Sequence, residues 1–287
     1  MADVERDEIT GTETTGHEWD GIKELNTPLP RWWLWTFYIT IVWALVYTIF
    51  FPAWPLITSA TGGLLGYSSR ADVAAAVERA REAQGGYYGQ IEEASLEQIV
   101  NDEELFQFAV AGGRSAFANN CSQCHGSGAA GFEGYPNLND DDWLWGGSLE
   151  DIHTTLLHGI RYEQNDETRY SEMPAFGRDG ILQRDEIIQL ADYVRSLSDP
   201  SVEVEDGAEE LYLNNCSACH GEDGGGDRMQ GAPALNDAIW LYGGDVESIV
   251  ETITHSRYGV MPGWSHRLDE ATIKQLTVYV HALGVGE

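Results

Sequence analysis

One segment of this 287-residue chain occurs twice, and the copies agree most closely around cysteine. The first reads GRSAFANNCSQCHG, then YPNLNDDDWLWGG, MPAF and IIQLADYVRSL. The second reads GAEELYLNNCSACHG, then APALNDAIWLYGG, MPGW and TIKQLTVYVHAL. All four cysteines of the chain fall in the two copies of Cys-x-x-Cys-His: Cys121, Cys124 and His125, then Cys216, Cys219 and His220. Two residues between thiols let one turn of chain reach both vinyl groups of a porphyrin, and the next position delivers an imidazole to the iron. A redox dithiol or half a zinc site needs neither the histidine nor the duplication. The motif pair therefore implies two covalently bound haem c groups, with Cys121, Cys124, Cys216 and Cys219 as attachment sites.

A haem iron held by one histidine requires a second axial ligand. The chain has four methionines, and Met173 and Met261 precede proline at matching places in the two repeats. A methionine thioether on the far side raises the reduction potential, and the proline stiffens the arm that presents it. The expected axial ligands are His125, Met173, His220 and Met261. His158 and His255, also at near-equivalent places, are the alternatives for bis-histidine ligation. Met229 sits in a glycine-rich loop absent from the first copy and has no assigned role. Pro136 and Pro233 resemble the turn that c-type cytochromes place where its carbonyl accepts from the Nδ1–H of the proximal histidine. Trp143, Trp240, Arg161 and Arg257 are candidates to reach haem propionates.

Each repeat opens with a helix running into its Cys-x-x-Cys-His motif and closes with an amphipathic helix. The apolar stripes are Ile187, Leu190, Ala191, Val194 and Leu197 in one, and Ile273, Leu276, Val280 and Leu283 in the other. The pattern predicts two small helical domains, residues 108–199 and 204–287, each wrapped around its own cofactor.

The N-terminal part is of another kind. No charged residue lies between Arg31 and Arg70, and Trp32 to Phe51 is one apolar run. As a helix that run is about 30 Å long, one hydrocarbon thickness. Trp32, Trp33, Trp35 and Trp54 sit where interfacial aromatic residues collect. The expected division is a disordered tail over 1–16, a pre-membrane segment over 17–31, an anchor helix over 32–54 and linker helices over 55–107. Within the last, Ser95 and Gln98 have capping-box spacing. The fold class is thus mainly α, one N-terminal transmembrane helix followed by two tandem cytochrome c domains. Haem attachment takes place on the outer side of energy-transducing membranes, so the tail is expected in the cytoplasm and the haem domains in the periplasm. With 47 acidic against 16 basic residues the chain carries a net charge of −31, which argues against a nucleic-acid partner. It suits a basic protein partner or a saline habitat.

The block HEWDGIKELNTPLPRWWLWTFYITIVWALVYTIFFPAWP, with ASLEQI, LFQFAVAGGRSAF and the paired haem segments, resembles the membrane-anchored di-haem subunits of cbb3-type cytochrome c oxidases. That resemblance implies a single-pass protein of a bacterial inner membrane, although some members carry two membrane helices. It implies a donor cytochrome c, a mono-haem cytochrome c subunit and a catalytic haem-copper subunit as partners. Dioxygen is then reduced, and protons pumped, in the catalytic subunit. With both iron faces filled, this chain only transfers electrons and has no catalytic residue of its own. A free-standing membrane-tethered di-haem shuttle is the alternative, and a di-haem peroxidase a more distant one.

Overall fold

A computed structural model describes residues 5–284. The chain divides into two compact units, Met1–Glu82 and Ala83–Glu287.

In the first unit, strands β1 (Thr14–Trp19) and β2 (Ile22–Leu25) pair antiparallel. Asp20 and Gly21 join them with φ of 48° and 83°, the paired positive values of a type I′ turn, whose twist matches that of the strands. Lys23 reaches back to Glu5, and Arg6 bridges to Glu13. The expectation of a disordered tail over 1–16 is therefore corrected for residues 5–16; residues 1–4 lie outside the described residues. Composition hid the hairpin because its order comes from one two-residue turn rather than from buried apolar area.

Helix α1 (Arg31–Phe50) begins directly after Pro30 and has no buried side chain along its length. Its mean hydropathy of 1.6 and 20 residues are enough to cross a membrane. Thr36, Thr40 and Thr48 return their hydroxyls to carbonyls of the same helix, so no polar group of theirs is left facing hydrocarbon. At its end the amides of Leu64 and Leu65 donate to the carbonyls of Ile49 and Phe50. The helix stops at Phe50, four residues before the expected boundary, because Pro52 cannot continue it.

The second unit is helical. Helix α2 (Ser69–Glu93) ends there, and α3 (Leu96–Asn101) starts with the expected capping box of Ser95 and Gln98. Helix α4 (Glu103–Asn120) leads into the short α5 (Ser122–His125), and α6 (Leu149–His158) follows the first haem motif. Next come α7 (Arg184–Ser198), α8 (Ala208–Asn215), the short α9 (Ser217–His220), α10 (Val246–His255) and α11 (Glu270–Leu283).

The closing helices are exchanged between the repeats. α11, from the second copy, packs on α4 and α6 of the first, while α7, from the first, packs on α8 and α10 of the second. One core joins Phe117, Cys121, Trp143, Ile152 and Leu156 to Ile273, Leu276 and Val280. The other joins Tyr212, Ile249 and Ile253 to Ile187, Leu190, Ala191 and Val194. Residues 108–199 and 204–287 are thus two repeats whose packing is shared, each covered by the closing helix of the other. The cause is connectivity. Only residues 199–207 separate α7 from α8, and helices so joined pack as antiparallel neighbours. With α7 already on α8, the apolar face of α11 covers α4.

A third cluster docks the α2–α3 collar on the far side of this pair, with Ile91, Leu96, Ile99 and Leu105 against Ala271 and Val278. Lys274 of α11 donates its ammonium to the carbonyls of Ile91, Glu92 and Ala94, satisfying the end of α2 with a cation where the helix dipole favours one.

Candidate haem sites

Each opening helix delivers its motif in the same way. The amides of Cys124 and His125 donate to the carbonyl of Cys121, and those of Cys219 and His220 to that of Cys216. The turn then leaves through a glycine with positive φ, Gly126 at 79° and Gly221 at 78°. His125 Nδ1 lies 3.1 Å from the carbonyl oxygen of Pro136, and His220 Nδ1 lies 3.0 Å from that of Pro233. The carbonyl fixes Nδ1 as the protonated nitrogen and leaves Nε2 as a free donor to iron. Burial lowers both imidazole pKa values and so favours the neutral ligating form, with the carbonyl bond acting the other way.

Burial, with a smaller contribution from the second cysteine, pushes the Cys121 and Cys216 thiols up to about 11. A redox dithiol depends on a lowered thiol pKa, so these motifs are tuned the wrong way for that chemistry. Among the described residues no group of three His, Cys, Asp or Glu side chains converges to hold a metal ion. Unpaired thiols beside an imidazole with a free Nε2, over an apolar core, fit a thioether-linked porphyrin in both places.

The methionine arms follow the exchange of helices. Met261 packs on the core that contains Cys121 and Trp143, whereas Met173 packs on the core that holds Tyr212 and borders Cys216 and Trp240. Backbone bonds seat each arm on the other repeat. Ile160 and Met261 exchange amide–carbonyl bonds of 2.9 and 3.0 Å, and the amide of Trp264 donates to the carbonyl of Leu156. Gly159, with φ of 74°, permits this approach; a Cβ there would overlap the Met261 carbonyl. The hydroxyl of Ser256 donates to the carbonyl of Met173, and the Arg178 amide donates to that of Thr254. This packing sets Met261 on the core of the first haem motif and Met173 on that of the second. His158 instead pairs with Glu167 at 3.4 Å, and His255 is exposed.

The two sites meet through reciprocal contacts. The ring of Trp145 lies on Gly231, and that of Tyr242 on Gly134, where the Gly134 amide also donates to the Leu241 carbonyl. Of the expected propionate ligands, Arg161 is spent elsewhere: Nε donates to the Gly259 carbonyl at 2.7 Å, and the other end to the Ser171 carbonyl. Arg169 takes the place that Arg257 holds in the second copy, stacked on Trp145 at 5.6 Å as Arg257 is on Tyr242 at 4.9 Å. Sequence reasoning missed Arg169 and Trp145. The signal for Arg169 is its match to Arg257, in the Arg-Tyr-x-x-Met-Pro stretch of both copies, and that for Trp145 is its match to Tyr242.

Comparison with known families agrees with this architecture. Residues 11–58 match the N-terminal domain of cytochrome oxidase-cbb3, FixP. Residues 110–198 match cytochrome c, and residues 203–280 match cytochrome c oxidase, cbb3-type, subunit III. The cbb3-type cytochrome c oxidase subunit CcoP of Cereibacter sphaeroides is 55% identical over 96% of this chain and 95% of its own length. The subunit FixP of a Bradyrhizobium species is 55% identical and that of Rhizobium meliloti 51% identical, both over the full length of each chain. Two cytochrome c modules, each with its thioether motif, account for two covalent haem c groups, and the anchor helix makes the protein membrane-bound. The chain belongs to the CcoP/FixP family, the di-haem electron-transfer subunits of cbb3-type cytochrome c oxidases.

Proposed function

We propose that this subunit takes electrons from a donor cytochrome c and passes them through a mono-haem subunit to the catalytic haem-copper subunit, where dioxygen is reduced with proton pumping. In this reading the protein is single-pass in a bacterial inner membrane, with residues before α1 in the cytoplasm and both haem sites in the periplasm. Each haem, when bound, supplies an iron that carries one electron at a time. The protein's part is to attach, ligate and shield. Cys121 and Cys124 would tether the first group, with His125 and Met261 to ligate its iron; Cys216 and Cys219 would tether the second, with His220 and Met173. The carbonyls of Pro136 and Pro233 orient the two imidazoles, and the apolar cores keep water from the iron faces.

The observation that carries the crossed ligand sets is the packing of each methionine against the core that holds Cys121 or borders Cys216 of the other repeat. Histidine in place of methionine lowers a haem potential. Met173→His is therefore expected to lower the midpoint of the haem at His220, and Met261→His that of the haem at His125. Redox titration of the purified oxidase checks this, with a Cys121→Ala, Cys124→Ala chain identifying the first haem's transition by its loss. A shift at the haem of the same repeat would restore the uncrossed assignment.

A further inference from the structure

Three buried side-chain donors of the described residues find no acceptor on the polypeptide: Trp143 Nε1, Trp145 Nε1 and Arg169 Nε. All three belong to the first repeat. Trp143 is 9% and Trp145 7% exposed. Trp143 is part of the core that contains Cys121, with its ring held flat against Gly147. Trp145 is clamped between Gly231 and the Arg169 guanidinium. The rest of that guanidinium is already committed, NH1 to the Trp145 carbonyl at 2.9 Å and NH2 to the Asp151 carboxylate at 2.9 Å. Asp151 lies on α6, next to the core residue Ile152.

A buried donor without a partner costs about 1–3 kcal/mol, so three from one repeat, two of them in contact, call for an acceptor that arrives with the ligand. A haem brings two carboxylate groups, its propionates, and porphyrin attached at Cys121 has nothing else that accepts so strongly. We propose that Trp143, Trp145 and Arg169 bind a propionate of the haem attached at Cys121 and Cys124, a role that rests on the two-haem reading above. The second site lacks the set. Arg257 stacks on Tyr242 in the corresponding place, but its Nε donates to Thr252 Oγ1 at 2.9 Å, and its NH2 to the Tyr242 and Ser248 carbonyls. Trp240 is only half-buried and Tyr242 replaces the second indole. The two haems are therefore held unequally, with the first carrying a buried, cation-paired carboxylate.

Donors and a positive charge on a propionate withdraw its field from the iron and favour the ferrous state. Redox titration of the intact purified oxidase reads this directly. Arg169→Gln is expected to shift the first haem's oxidised-to-reduced equilibrium about tenfold toward the oxidised form, ~59 mV for one electron. Trp145→Phe and Trp143→Phe are expected to shift it the same way by about three- to tenfold, the loss of one hydrogen bond to a charged group. The second haem stays where it was, and Arg169→Lys, which keeps the charge, recovers most of the potential. If Trp143→Phe fails to mature, Arg169→Gln and Trp145→Phe carry the test, since neither fills the core beside Cys121. An unchanged first midpoint in both, or equal shifts of both haems, overturns the proposal. Mass spectrometry of the same samples separates that outcome from failure of the two-haem reading, which would appear as a chain carrying fewer than two covalent haem groups.

Discussion

Gly113 sets the depth to which α11 can settle on α4. A Cβ at this position would stand 2.5 Å from Tyr279 Cβ and would overlap the Gln275 carbonyl, a backbone atom that cannot swing aside. In an exposed helix, replacing glycine by alanine is worth about 1 kcal/mol of added stability. Here overpacking, which costs about 1–3 kcal/mol, outweighs it. Gly113→Ala is therefore expected to lower stability by up to about 2 kcal/mol, the difference of those two effects. Thermal unfolding followed at the haem absorbance tests this, and a stabilised variant would mean that the crossing is looser than described. The position in the second copy, Ala208, is fully buried yet already carries a Cβ, so α7 and α8 meet with that methyl accommodated. The pairing of Phe117 with Tyr279 at 5.5 Å and of Tyr212 with Tyr193 at 5.1 Å shows that the crossings are otherwise alike. The aligned Gly113 and Ala208 are visible in the sequence. That only one of them is sterically required is not, because the requirement comes from a helix 160 residues away.

At the level of elements, the helices were legible and their partners were not. The 3.6-residue stripes locate α7 and α11, and the histidine–carbonyl turns at Pro136 and Pro233 lie where the resemblance to c-type cytochromes implies them. Both stripes, however, offer the same kind of apolar face, so nothing local distinguishes closing on one's own repeat from closing on the other. The β1–β2 hairpin was missed for a related reason: its order rests on Asp20-Gly21, a short-range signal inside an acidic, threonine-rich stretch. The exchange makes a deletion informative. Removing residues 269–287 takes away Ile273, Leu276 and Val280, which cover Cys121 and Trp143, and the Lys274 cap on α2. It leaves Tyr212, Ile249 and Ile253 with their α7 partners intact. The expected result is loss of the low-spin spectrum of the first haem, with the second titrating as in the full chain. Loss of the second haem instead would show that each repeat closes on itself.

Over the whole molecule the dominant fact is a net charge of −31, and its cost is concentrated where carboxylates face each other across the repeats. Asp142 stands beside Asp140 and Asp141 of the first copy and near Asp237 of the second. Burial first, then the charges of Asp237 and Asp140, push its carboxyl up to about 6, with Arg228 opposing. Because the folded-state pKa lies above the ordinary carboxylate value of 3.8, the native protein retains a proton that the unfolded chain releases between those limits. Stability contributed by this group is thus lost as pH rises from about 4 to about 6, and stays lost above that. Asp142→Asn removes the charge while keeping the shape. It should leave the unfolding temperature unchanged near pH 4 and raise it at pH 7 to 8, with the gain developing through that interval. Added salt should reduce the gain only in part, since screening acts on Asp140 and Asp237 but not on burial. A gain that is the same at every pH would place the strain elsewhere. Acidity that was uninformative as a composition thus has a specific address, a seam where the duplicated NDDDW and NDAIW segments bring like charges together.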